Sequence, residues 1–175
     1  MIYFTSDLHF YHDKIINHSK RPFKSAQEMN EKIIKNWNSV VSPNDEVYIV
    51  GDVTMKGPDQ AFELLSSLNG LKYLIKGNHD KFVDNSDWQQ YSWVFQWVKD
   101  YHEMVYNNQK FVLFHYPIAE WADFYRGAIH LHGHQHNHSD YNHKQKQAGL
   151  KRYDVGVDAN GFAPVGADTI IKFFA

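Results

Sequence analysis

Cysteine is absent from the 175 residues of this sequence, which excludes disulfides and thiolate metal sites and suits a reducing compartment. An excess of basic residues is absent too. Lys and Arg number 18 against 20 Asp and Glu, and the net charge of −2 gives no reason to expect nucleic acid as a partner. No apolar run is long enough for a membrane span, and the N-terminal stretch turns polar too early for a signal peptide. We therefore expect a cytoplasmic protein that makes no contact with a membrane.

Hydrophobic residues make up 43% of the sequence and aromatic residues 16%, which excludes a disordered chain. A chain of this length is predicted to form one domain over residues 1–175. Histidine is abundant: there are 12, and six of them lie between residues 130 and 143. A His-rich tract can store metal without forming a defined site. The positions of the other polar residues therefore have to show whether the histidines belong to a defined metal site.

The first half of the chain alternates between predicted strands and helices. Short apolar runs at 2–5, 46–50 and 71–75 predict strands. Between them, Ser25 is placed to cap one amphipathic helix and Pro58 to begin another. This alternation indicates a parallel sheet with helical crossovers, in which ligands bind at the carboxyl ends of the strands.

The second half is predicted to be mainly strands, beginning with a hairpin. These strands are expected at 104–106, 111–114, 128–131, 153–157 and 169–174. Residues 84–99, rich in tryptophan, are predicted to be helical or irregular. The polar run at 137–151 is expected to be a loop or a flap over a site.

Polar side chains follow the predicted strand ends. They are Asp7, His9, Asp52, Asn78, His79, His115, His134 and His136. Carboxylate, imidazole and amide donors together suit Mn²⁺, Fe²⁺, Zn²⁺ or Co²⁺ better than Ca²⁺ or Mg²⁺. If the strands lie side by side, a carboxylate such as Asp52 can bridge two cations. A two-metal centre acidifies a water and clamps the attacking and leaving oxygens of an in-line displacement, which is the chemistry of phosphoester hydrolysis.

Five motifs occur in a characteristic order. They are Asp7-x-His9, Gly51-Asp52, Gly77-Asn78-His79-Asp80, an isolated His115 and Gly133-His134-Gln135-His136. This ordered set resembles the calcineurin-like metallophosphoesterase superfamily, in particular its small stand-alone phosphoesterases, over residues 4 to 158. The resemblance implies an α/β fold, a four-layer α/β/β/α sandwich of two mixed β-sheets flanked by helices. It also implies a dimetal centre at one edge of the sheets.

The resemblance implies a hydrolase that cleaves a phosphomonoester or phosphodiester by attack of a metal-bound hydroxide. Its cofactors would be two divalent ions from among Mn²⁺, Fe²⁺, Zn²⁺, Co²⁺ and Ni²⁺, with Mn²⁺ expected in vitro. One ion would be held by Asp7, His9 and His136, the other by Asn78, His115 and His134, with Asp52 bridging both.

Four further residues are predicted to act on the substrate, a small phosphoester or nucleotide. His79 would be the general acid or an electrostatic clamp on the phosphoryl group, and Asp80 would orient it. His12 and Arg21 are candidates for binding a phosphate. We expect His130 and His132 to share one face of the preceding strand and to pack outside the site.

Two other functions remain open at this point. The first is a catalytically inactive metal-binding interaction module on the same fold, against which His79 and the complete ligand set argue. The second is a His-rich metal-storage protein. Storage does not need carboxylates such as Asp7 and Asp52 at distant strand ends, so their presence argues against it.

Overall fold

The computed structural model describes residues 1–84 and 93–175. In chain order its strands are β1 (Ile2–Thr5), β2 (Glu46–Ile49), β3 (Leu71–Ile75), β4 (Phe95–Lys99), β5 (Tyr101–Tyr106), β6 (Gln109–Phe114), β7 (Ile129–His132), β8 (Arg152–Asp154) and β9 (Val165–Gly166). The larger sheet has the order β4-β3-β2-β1-β9, with β1 to β4 parallel and β9 antiparallel. The parallel sheet predicted for the first half is thereby confirmed.

The smaller sheet has the order β5-β6-β7-β8. Strands β5 and β6 form the predicted hairpin, which turns at Asn107 and Asn108. Both asparagines have a left-handed backbone, with φ of 48° and 61°, as tight hairpin turns of this kind require. Strands β7 and β8 continue the sheet in parallel with β6, so this sheet is mixed as well.

Five α-helices surround the sheets in the described part of the chain. They are α1 (Asp13–His18), α2 (Ala26–Val40), α3 (Pro58–Ser66), α4 (Tyr141–Gln147) and α5 (Ala167–Phe174). The Ser25 hydroxyl accepts a hydrogen bond of 3.2 Å from the Glu28 amide and caps α2 as predicted. Pro58 is the first residue of α3, where its missing N–H costs no helical hydrogen bond. No helix in residues 1–84 and 93–175 has both the length and the apolar composition that a membrane crossing needs.

Apolar side chains fill the spaces between the layers. Helix α2 covers the larger sheet, and its Ile33 and Trp37 are wholly buried there. The two sheets pack face to face through Phe4 of β1 and Phe111 of β6, whose ring centroids lie 5.3 Å apart. Trp121 and helix α4 lie on the outer side of the smaller sheet. The predicted arrangement of two mixed sheets flanked by helices is confirmed.

The strand predicted for residues 169–174 is wrong, because this segment belongs to helix α5. Its β-branched and aromatic residues favour a strand locally. Ala167 and Ile170, which are three positions apart, are nevertheless both buried against the sheets, and that spacing fits a helix. Tertiary packing of the apolar stripe overrides the local preference.

Two other segments differ from expectation. Residues 95–99 form β4 rather than a helical or irregular stretch, because they pair in parallel with β3. The neighbouring Trp88 and Tyr91 of the same prediction lie outside the described residues. The polar run at 137–151 is not only a loop, since it contains α4.

Candidate metal centre

The predicted ligands converge where the carboxyl ends of β1, β2 and β3 meet those of β6 and β7. Two groups of side chains stand out, each with ligand atoms within 4.8 Å of one another. The first ligand group is Asp7, His9 and His136. The second contains Asp52, His115 and His134. The grouping is the one implied by the resemblance, although the ligands are spread over 130 residues of sequence.

Asp52 lies between the two groups. Its Oδ2 atom is 3.5 Å from Nε2 of His9 and 3.4 Å from Nε2 of His115. Its Oδ1 atom accepts a hydrogen bond of 2.9 Å from the backbone amide of His79. One oxygen therefore faces both groups while the other is anchored to the chain, as a bridging carboxylate requires.

Asn78 completes the second ligand group. Its Oδ1 atom lies 3.1 Å from Nε2 of His115 and 3.0 Å from Nδ1 of His134. His115 is held from behind, because its Nδ1 atom is 2.8 Å from the carbonyl oxygen of Val50. Donation to that carbonyl places the ring proton on Nδ1 and leaves Nε2 as the ligand atom.

The backbone is left-handed at five of the seven predicted ligands. The φ angles are 55° at Asp7, 49° at His9, 59° at Asp52, 71° at His134 and 50° at His136. Residues other than glycine rarely adopt this conformation, which costs about 1–3 kcal/mol each when the surroundings impose it. These five strained residues lie where the strands turn their side chains towards the centre.

Backbone hydrogen bonds hold these strained turns in place. The amide of Asp7 donates to the carbonyl of Gly51 at 3.0 Å, and the amide of His9 donates to the carbonyl of Asp52 at 3.0 Å. The loops after β1 and β2 therefore support one another. This mutual support offsets the unfavourable φ angles.

Two glycines of the motifs allow a close approach to the carboxylates. A Cβ atom on Gly77 would lie 2.3 Å from Oδ1 of Asp52, and one on Gly133 would lie 2.2 Å from Oδ2 of Asp7. Both distances are shorter than any real contact of a Cβ atom. Any side chain at these positions would displace a predicted ligand.

The first group contains a buried carboxylate, Asp7, and a buried imidazole nitrogen, Nε2 of His9, that a positively charged ligand would stabilise. Asp7 is wholly buried, and burial raises its pKa to about 6. Burial also lowers the pKa of His9 to about 2. The Nε2 atom of His9 is buried and has no hydrogen-bond partner among the described residues. A divalent cation would pair with both an ionised Asp7 and the unprotonated Nε2 atom of His9, so the residues present fit such an ion.

In the second group the charges are paired. Burial alone would raise the pKa of Asp52, but the hydrogen bond and charge of His115 outweigh burial and lower it. Conversely, burial alone would lower the pKa of His115, and the contact with Asp52 raises it. Without a cation the two side chains form an ion pair. A metal ion would take the place of the proton on the Nε2 atom of His115, while the Nδ1 proton stays in the hydrogen bond to Val50.

Asp80 makes contacts other than the predicted one to the His79 ring. Its carboxylate accepts backbone N–H bonds of 2.8 Å from Asp52, Val53 and Gly77. Burial raises the pKa of Asp80 to about 6. Asp80 therefore fixes the loop that carries Asp52, and its orientation of the His79 imidazole stays a prediction.

Arg21 is placed behind the centre. Its guanidinium is wholly buried and forms an ion pair with Asp158, at 2.8 Å between Nη2 and Oδ2. A direct contact with a phosphate would require this pair to open, and the substrate-binding role of Arg21 stays a prediction. Asp158 had no predicted role.

His79 and His12 line a cavity of about 470 Å³ that opens over the ligands. The His79 ring centroid is 5.4 Å from that of His9. Lys14 and His18 line the same cavity and were not predicted. Lys14 and His18 are four positions apart and share a face of α1, and Ile15 of the same helix also lines the cavity.

His130 and His132 lie outside the centre, as expected. Both are wholly buried on one face of β7, with their ring centroids 5.5 Å apart. Nδ1 of His130 is 3.0 Å from the carbonyl oxygen of Val112, and Nδ1 of His132 is 2.9 Å from that of Gly133. These contacts account for two members of the His-rich tract by packing.

Comparison with known proteins is consistent with this geometry. The family model described as calcineurin-like phosphoesterase matches residues 1–138. An uncharacterized protein of Methanocaldococcus jannaschii is 38% identical over 173 residues, which cover 98% of this chain and 89% of the relative. The gene 66 protein of Mycobacterium phage L5 is 37% identical over 81 residues, 45% of this chain and 39% of that protein. A crystal structure of a protein of unknown function from Aquifex aeolicus superposes with a TM-score of 0.74, at 26% identity and 98% coverage of both chains.

Proposed function

The chain belongs to the calcineurin-like phosphoesterase family, and we propose that it hydrolyses a phosphomonoester or phosphodiester with two divalent metal ions. The observation that carries the proposal is the pair of ligand groups on either side of one shared carboxylate, Asp52. A pure storage protein would not need that arrangement.

Each ligand group would hold one ion. Asp7, His9 and His136 would hold the first, and Asn78, His115 and His134 the second, with Asp52 shared. When bound, the ions would supply Lewis acidity and a water of lowered pKa at the phosphorus. Mn²⁺ is the ion we expect to support activity in vitro, since imidazole and carboxylate donors suit it.

The chain's own residues would position the phosphoryl group and move the proton. His79 follows Asn78 directly and lines the cavity, and its imidazole would donate a proton to the leaving oxygen. His12, Lys14 and His18 lie along the same wall and would contact the other phosphate oxygens. The cavity volume suits a small phosphoester or nucleotide.

The proposal is tested with p-nitrophenyl phosphate and bis-p-nitrophenyl phosphate in the presence of Mn²⁺. Wild type should hydrolyse at least one of them, and a chelator should abolish turnover. His79→Ala should reduce the rate by about 10² to 10⁴-fold while keeping its metal, because general acid catalysis contributes that much. His138→Ala, on an exposed histidine of the same tract, is the matched control.

The rival functions give different results. Metal binding without turnover of either ester would favour the inactive interaction module. Equal rates for wild type and His79→Ala would remove His79 from the reaction.

Cytoplasmic location stays a prediction.

A further inference from the structure

A buried ion pair joins Arg21 to Asp158 directly behind the first ligand group. Nε of Arg21 donates to Oδ1 of Asp158 at 2.9 Å, and Nη2 donates to Oδ2 at 2.8 Å. The two side chains are 0% and 2% exposed. This two-point geometry is specific to arginine, since lysine offers a single ammonium group.

Both partners of this pair also touch the first ligand group. Oδ2 of Asp158 lies 3.0 Å from Nδ1 of His136. Nη2 of Arg21 donates to the backbone carbonyl of Asp7 at 2.6 Å, and Nη1 donates to that of Leu8 at 3.1 Å. The pair therefore contacts one ligand through its ring and another through its strained backbone.

We propose that Arg21 and Asp158 are positioning residues that preset Asp7 and His136 for the first metal ion. Because His136 donates from Nδ1 to Asp158, the ring orientation is fixed and Nε2 is the nitrogen available as the ligand atom. Because Arg21 holds the carbonyl of Asp7, the left-handed turn that aims the Asp7 carboxylate is fixed before an ion arrives. The inference rests on the proposed metal centre.

Stability alone is a weak reason for such a pair. Burying two charges costs desolvation that apolar residues would avoid, so a buried ion pair commonly contributes little net stability. The net charge of the pair is zero, which suits a site for a cation. The positive charge of Arg21 alone would repel a cation, but the carboxylate of Asp158 neutralises that charge.

The second ligand group is supported differently. Nδ1 of His115 contacts a neutral backbone carbonyl, that of Val50. Nδ1 of His134 faces Asn78, which is itself a member of the group. A carboxylate acceptor raises the basicity of an imidazole ligand and holds it more firmly than a neutral one. We therefore expect the first group to bind its ion more tightly than the second.

The test is a Mn²⁺ titration of the chelator-stripped full chain by calorimetry, with metal content measured after dialysis. Wild type should bind two ions with different affinities. Asp158→Asn keeps the shape but breaks the ion pair, and it should weaken the tighter step by about 10 to 100-fold. Asp123→Asn, which alters an ion-paired carboxylate elsewhere on the chain, is the matched control and should leave both steps unchanged.

A second variant, His136→Ala, separates an effect on the position of His136 from an effect on the stability of the whole fold. In His136→Ala the tighter step is already lost, so adding Asp158→Asn should change the remaining binding by no more than about twofold. A large further loss would mean that the pair acts on the whole fold rather than through His136. Such a result would overturn the inference.

The outcomes distinguish this inference from the proposed function. Wild type that binds no metal would overturn the metal centre itself. Wild type with two ions and a folded Asp158→Asn with the same affinities would overturn only the inference. Arg21→Lys keeps the charge but loses the two-point contact, so it should weaken the tighter step less than Asp158→Asn does. If Asp158→Asn fails to fold, Arg21→Lys decides, and unchanged binding in it would overturn the proposal.

Discussion

Each ligand group contains two imidazoles, but the first adds the carboxylate of Asp7 and the second the amide of Asn78, and the groups also differ in the residues that support them. Asp7 and His9 are buried, and a buried ion pair contacts the first group. Each group has one partly buried histidine, His136 in the first and His134 in the second, and His134 packs on Tyr116, which is 38% exposed. We therefore expect the strength of each metal site to depend on the residues that support the donors as well as on the donor chemistry that the sequence displays.

The strongest test of the comparison is to remove the side chain that the groups share. Asp52→Asn should lose both ions, and hydrolysis should fall by about a thousandfold or more, because one carboxylate serves both ions. Metal content and initial rates measure the effect. Asp140→Asn, which alters an exposed carboxylate paired with Lys144, is the control. Retention of one ion in Asp52→Asn would show that the groups are independent.

The two glycines can perturb the groups separately. Gly133→Ala places a methyl group against Asp7 and should weaken the tighter binding step by about 10 to 100-fold. Gly77→Ala places it against the shared Asp52 and should weaken both steps. Gly57→Ala is the control, since apart from its local backbone and chain neighbours no described atom lies within 4 Å of its added methyl. Identical binding curves for Gly133→Ala and Gly77→Ala would remove the distinction.

The carboxylates of the two groups should respond differently to pH in the metal-free protein. The folded-state pKa of Asp7 is about 6, above the ordinary 3.8. Its contribution to stability is therefore present below pH 4 and lost as the pH rises through 6. Asp7→Asn removes the buried charge and should stabilise the chelated protein by about 1–3 kcal/mol at pH 8, but little at pH 4.

Urea unfolding at the two pH values measures this difference. Asp52→Asn should do the reverse and lower the free energy of unfolding at pH 8, because it breaks the ion pair with His115. A metal-free Asp7→Asn protein that is less stable than wild type at pH 8 would contradict the burial argument. Both variants should still lose metal.

The smallest effect is expected at the ring behind His134. The Tyr116 and His134 ring centroids lie 4.5 Å apart in an edge-to-face arrangement. Such a contact contributes about 0.5–1 kcal/mol, so Tyr116→Ala should weaken the looser binding step by about two- to fivefold. The tighter step should not change. Exposed Tyr125, replaced by alanine, serves as the control.

The parallel half of the fold and the convergence of the candidate ligands could be predicted from the sequence, because polar residues after short apolar runs mark strand ends. The contact of Arg21 with Asp158 could not be predicted in this way. The two residues are 137 positions apart, and neither lies in a motif that points to the other. The left-handed turns at the ligands were also hidden, since Asp and His carry no local signal for a positive φ as strong as that of glycine.

The fold errors have the same origin. Residues 95–99 and 169–174 are short apolar segments whose periodicity fits more than one structure, and only their packing partners decide. By contrast, the helix capped at Ser25 was predicted because its start signal and its apolar stripe agree.

The ion pair between Arg21 and Asp158 has a consequence for biosynthesis. Asp7, His9 and Arg21 leave the ribosome early, yet the carboxylate that completes their support follows more than a hundred positions later. A nascent chain that stops short of position 158 carries every predicted ligand but not the group that holds His136. Firm capture of the first ion would therefore have to wait until position 158 has been translated and the distant segments have come together.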